Sequence, residues 1–189
     1  MQIRFQFHPD KAIQAMAFML QRLGTTDKVK LMKLVYLADR EHFIQHGYPI
    51  TGDKLCAMPW GPVPSHTLDV LNGDMMIPQE RIFSFLHVID NKVELRNSPG
   101  ESLLTDSERE ILQSVINQHG SKRTWDLVHE THALPEYQDC YVEGSSRLIP
   151  YEQIARHSGN ENRYRANRPV ISAETARRMV QTPVPDDDL

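Results

Sequence analysis

One segment constrains the fold more than any other: "KVKLMKLVYLADREHFIQH", residues 28–46, closed by Gly47. Val29, Met32, Val35, Tyr36 and Phe43 recur at helical spacing along one side, and Leu31, Leu34 and Ala38 widen that side around most of the circumference. A helix this apolar has to be the central, buried element of its domain, with other elements packed around it. Thr26 or Asp27 suits the N-cap, and Gly47 ends the helix. The few polar positions fall on a narrow stripe in which Lys30 and Lys33, three apart, align with Leu37 and Arg40. Such a stripe has two readings. It is a solvated edge with lysine stems lying along apolar surface, or a set of cationic contacts on a helix otherwise committed to the core.

Helices and turns flank this centre. Residues 9–23 carry Ala12, Ile13, Met16, Ala17, Met19, Leu20 and Leu23 at the spacing of a broad buried face, and Gly24 stops the run. "TDSEREILQSVINQHG" has Thr105 and Glu108 as a capping box, Ile111, Leu112, Val115 and Ile116 as an apolar stripe, and Gly120 at its end. Shorter helices are expected over 64–71, over 124–131 with Trp125, Leu127 and Val128 buried, and over "IPYEQIARHSG". "RIFSFLHVIDNKVELR" reads as two β-rich runs around Asp90-Asn91, a hairpin, and a short strand is expected near 55–58. The fold class is therefore mainly α: a compact helical domain, residues 1–158, with a small β-hairpin or sheet. Residues 159–189 form a tail, a polar linker with a short helix expected over 173–180.

Charge and cysteine content narrow the function. A formal net charge of −4 argues against general nucleic-acid binding. Residues 151–178 hold six Arg against three Glu, however, so an autoregulator contacting DNA would use Arg156, Arg163, Arg165, Arg168, Arg177 and Arg178. The apolar runs are too short to cross a membrane, the first residues lack a signal-peptide core, and the two cysteines, Cys56 and Cys140, lie in different segments. A cytoplasmic location is expected.

Catalytic patterns are sparse. His42 and His46 lie four apart on the central helix, the spacing of a helical metal pair, but Phe43 stands where a general-base Glu would follow. His129 and His132 are three apart and miss the pattern too. Glycine-rich phosphate loops and nucleophile elbows do not occur in the sequence. A metal-dependent hydrolase using His42, His46 and an acidic neighbour is the enzyme alternative. The favoured expectation is a protein that is not an enzyme and needs no cofactor or metal.

"MPWGPVPSH", residues 58–66, crowds a tryptophan, a glycine and three prolines between two helical runs. Pro62 and Pro64 fix φ, and Gly61 permits a tight backbone. Trp60-Gly61-Pro62-Val63 is either a rigid corner over which Trp60 covers the core, or a surface that touches a partner. These elements together resemble the Panacea, or SocA-like antitoxin, domain. The likeness spans about residues 10–157. It rests on Lys30-Leu31, Lys33-Leu34, Tyr36 and Ala38 in the central helix, and on Gly47, Pro49 and Ile50 after it. Trp60-Gly61-Pro62-Val63 follows, and then Gly120, Leu127, Thr131 and His132. The resemblance implies an antitoxin that neutralises a cognate protein toxin, encoded nearby, by direct binding. For some members it implies instead delivery of the toxin to a protease, of the AAA+ class, and some members are found in phages and prophages. Lys30, Lys33, Tyr36, Arg40, Trp60, Gly61, Pro62 and Val63 are the expected partner-binding residues, with the lysine stripe reaching the surface beside the tryptophan corner.

Overall fold

The structure is a computed structural model that describes residues 4–74 and 79–159. Its axis is α2 (Lys28–His46), whose residues from Leu31 to Ala38 are buried without interruption. Asp27 occupies the N-cap position, and Gly47 closes the helix with a left-handed φ of 85°. Around α2 pack α1 (Pro9–Leu23), α5 (Asp106–His119), α6 (Thr124–His132) and α8 (Tyr151–Ser158). The capping box of α5 is complete in both directions, between Thr105 and Glu108. The shorter helices pack further out: α3 (Ser65–Asn72) against α1 and β3, α4 (Gln79–Phe85) against α1 and β4, and α7 (Pro135–Cys140) against α6 and α8.

Among the described residues two small antiparallel sheets accompany the helices. One has the order β1 (Thr26–Asp27), β5 (Lys92–Leu95), β4 (Leu86–Ile89), and the other β3 (Gly61–Pro64), β2 (Leu55–Met58), β6 (Arg147–Leu148). The mainly helical class with a small sheet component is thus what the chain adopts.

Three local expectations change. The β-rich run from Arg81 starts as helix α4 and becomes strand only at Leu86. Ile82 and Leu86, four apart, are both fully buried, and a spacing of four shares one face in a helix and in a strand alike, so the apolar pattern does not separate the two. Trp125 is 59% exposed rather than buried, because Leu127, Val128 and Thr131 form the inward face of α6 and Trp125 lies off it. Gly61-Pro62-Val63 is not a turn but a buried strand. Its pairing with β2 puts Met58 opposite Gly61, so the turn is Pro59-Trp60.

Two buried carboxylates hold the connection after α2. Asp39 accepts from the backbone N–H and the hydroxyl of Thr51. Asp53 accepts from the N–H groups of His66 and Thr67 and from the Thr67 hydroxyl, capping α3 from a distance. The expected linker, the helix over 173–180 and five of the six tail arginines lie outside the described residues.

Candidate partner-binding face

The polar stripe of α2 does not reach solvent as a stripe. Each of its members turns inward to a different element. Lys30 donates through Nζ to the carbonyls of Gly120 and Lys122, both at 2.7 Å, satisfying backbone at the end of α5. Lys33 is 1% exposed, and its Nζ donates at 2.8 Å to the Pro62 carbonyl in β3. Burial pushes its pKa down to about 7. Tyr36 donates its hydroxyl to Glu136 Oε1 at 3.1 Å, and Arg40 donates from Nε to the same oxygen at 2.5 Å. Burial above all, with the Glu136 charge behind it, holds the Tyr36 phenol well above its usual range. Burial works against the Arg40 charge, but Glu136 overrides it and raises the guanidinium pKa. Lys30, Lys33, Tyr36 and Arg40 therefore wire α2 to α5, β3 and α7. For Lys33 this corrects the expectation of a surface cation.

The glycine in Trp60-Gly61-Pro62-Val63 is required by this wiring. Gly61 has φ 93°, and a Cβ there would lie 2.9 Å from Lys33 Nζ, 2.9 Å from Thr131 Oγ1 and 3.0 Å from His132 Cδ2. The motif residues of α2, β3 and α6 thus converge on one point. Pro62 and Val63 are buried there. The His132 ring stacks on Tyr137 at 4.8 Å, Tyr137 stacks on Tyr141 at 5.1 Å, and the Tyr137 hydroxyl donates to the Met58 carbonyl. Burial lowers the His132 pKa, with Lys33 adding to the effect.

Outside this braced interior stands an exposed aromatic edge. Trp60, at the hairpin tip, and Trp125, on α6, are each 59% exposed and meet edge to face with ring centroids 6.1 Å apart. Beside Trp60 opens a groove of about 490 Å³ between the start of α2, the β2–β3 hairpin and α3. Val29, Met32, Met58, Val63 and Leu68 give it an apolar lining, to which Lys28, Lys33 and Asn72 add polar atoms.

Sequence reasoning expected Trp60 at a rigid corner covering the core, whereas it is the exposed tip of the β2–β3 hairpin, and it missed Glu136, Tyr137 and the exposure of Trp125. The available signal was Leu134-Pro135-Glu136, a proline at the first position of a helix with an acid in its first turn, which marks α7. Both ring nitrogens of His42 are engaged within the chain. His42 uses Nδ1 on the Tyr48 carbonyl at 2.7 Å and Nε2 on the Ser107 hydroxyl at 3.3 Å. Among the described residues no three His, Cys, Asp or Glu side chains are arranged to hold a metal. No helix among them is long and apolar enough to cross a membrane.

Residues 31–137 match the family model for the antitoxin SocA-like Panacea domain, and the chain belongs to that family. Membership ties it in general terms to toxin–antitoxin systems. No curated protein and no solved structure matches the chain.

Proposed function

We propose that this protein is an antitoxin that acts without catalysis, neutralising a cognate protein toxin by stoichiometric binding in the cytoplasm. The observation that carries the reading is the Trp60–Trp125 pair, two large aromatics left exposed side by side, with Trp60 lining an apolar groove. Exposed tryptophans on a rigid support are what interface hot spots are made of. The support is rigid because Lys33, Gly61 and Pro62 lock the hairpin to α2. In this reading the eight motif residues divide their work. Trp60 touches the toxin, while Lys30, Lys33, Tyr36, Arg40, Gly61, Pro62 and Val63 hold the face in shape. A stable complex would bury about 1,200–2,000 Å² in total, more than the groove alone supplies, so Trp125 and the surrounding rim belong to the same face.

The test is to express the protein encoded beside this gene alone and then together with this chain. The expected result is toxicity relieved by co-expression, with a complex of the two proteins recovered by gel filtration. A harmless neighbour, or a toxic one that is neither rescued nor bound, overturns the reading.

A further inference from the structure

The groove beside Trp60 combines two features that rarely share a site. Its walls are apolar, with Val29, Met32 and Leu68 facing the hairpin, yet its polar atoms come from two lysines and an asparagine and from no acidic residue. Lys33 is buried among these walls. An ammonium carries three donors, and the Pro62 carbonyl is the one acceptor described for it. Among the described residues no carboxylate pairs with it. Lys28, at the rim, is held towards the groove by its bond to Asn72 Oδ1 at 3.0 Å. Burial without a counter-charge holds the Lys33 amine down near 7, so near neutral pH it is divided between neutral and charged forms, and an incoming carboxylate favours the charged one.

We propose that this groove receives a segment of the partner protein in which an apolar side chain stands next to an aspartate or glutamate. The apolar side chain fills the space between Met32, Leu68 and the face of Trp60, and the carboxylate faces Lys28 and Lys33. This rests on the reading that the chain binds a protein, and it adds the chemistry by which the protein is chosen. Charge complementarity commits the site to an acidic segment. A basic one would bring like charges together in a partly water-excluded space.

The experiment pans a phage-displayed library of random dodecapeptides on the full chain and measures selected synthetic peptides by the change in tryptophan fluorescence. The expected result is enrichment of peptides carrying an apolar residue beside Asp or Glu. Replacing that acid by its amide, or making Lys28→Glu, weakens binding about tenfold, the scale of one good interface contact. Val29→Trp, which fills the groove, abolishes it. Lys28 is a rim residue whose replacement leaves the core intact, so the test survives if Val29→Trp does not fold. Failure to enrich any peptide, enrichment without an acidic position, or equal binding by folded Val29→Trp overturns the proposal. Selected acidic peptides together with a harmless genetic neighbour would leave the groove assignment standing and remove the antitoxin reading instead.

Discussion

The polar ladder of α2 and the tryptophan edge lie a few residues apart in space and obey opposite rules. The ladder is charged and buried, whereas the edge is apolar and exposed. In the ladder each polar head bonds to the molecule's own backbone or to Glu136, so the first work of these residues is to stabilise and position. At the edge, Trp60 and Trp125 touch mainly each other. Under the proposed reading this inversion marks where function sits. Residues whose chemistry suggests recognition are structural here, and residues whose chemistry suggests core are left outside. Substitutions in the two regions should therefore separate stability from binding.

The largest effect belongs to Lys33. Lys33→Glu puts a carboxylate in a closed space facing the Pro62 carbonyl, and we expect a loss of about 4 kcal/mol or more, read from urea unfolding. Lys33→Met keeps the stem and removes the charge. It should stay within about 1 kcal/mol of wild type at neutral pH, because the lost hydrogen bond is offset by relief of amine burial. The two proteins should diverge with pH. The unfolded lysine titrates near 10.5 and the folded one near 7. Between those values the unfolded chain holds the extra proton, so wild-type stability rises with pH relative to Lys33→Met, by on the order of a few kcal/mol. A flat difference between the two across that window would show that Lys33 is solvated in the native state.

Glu136→Leu comes next. It removes the acceptor shared by Tyr36 and Arg40 and strands a mostly buried guanidinium, an expected cost of about 3 kcal/mol. The double variant Glu136→Leu with Arg40→Met should recover much of that loss. No recovery would mean that the carboxylate serves something other than the pair.

How much of this was legible follows from which interactions are local. Helix boundaries at Pro9, Leu23, Thr105 and Gly120 are set by caps within a few residues, and they read directly from the sequence. So did the central place of α2, because a helix apolar nearly all round has one possible position. The direction of Lys30, Lys33 and Arg40 was not legible. Their partners lie 90, 29 and 96 residues away, and a spacing of three says only that two side chains share a face. Trp125 misled for a related reason. Its size argues for burial, but the inward face of α6 was already filled by Leu127, Val128 and Thr131. The likeness in the Gly-Pro-Val segment was visible, yet its being a buried strand depended on pairing with β2 and on contact with Lys33 and Thr131.

Gly61→Ala tests the point where the two regions meet. The backbone there is left-handed, and the new methyl group would press on Lys33 Nζ, Thr131 and His132. We expect a loss of about 2 kcal/mol. Because the displaced atoms anchor the hairpin, toxin binding should weaken as well, even at temperatures where the variant is fully folded. Retained affinity in a folded Gly61→Ala would show that the hairpin tip positions itself without the ladder.

The smallest effect on stability should accompany the largest on binding. Trp60 sits at a hairpin tip, more than half exposed, and its described ring partner is Trp125 at 6.1 Å. An exposed edge-to-face pair is worth about 1 kcal/mol, so Trp60→Ala should shift the unfolding midpoint only slightly. If Trp60 is the anchor of the interface, the same substitution costs about 2 kcal/mol or more of binding free energy, over tenfold in affinity. The sharp outcome is a pair of ratios. Trp60→Ala loses far more binding than stability, and Glu136→Leu loses far more stability than binding once folded protein is compared. A Trp60→Ala protein that melts normally and holds its toxin with unchanged affinity would move the interface off this edge altogether.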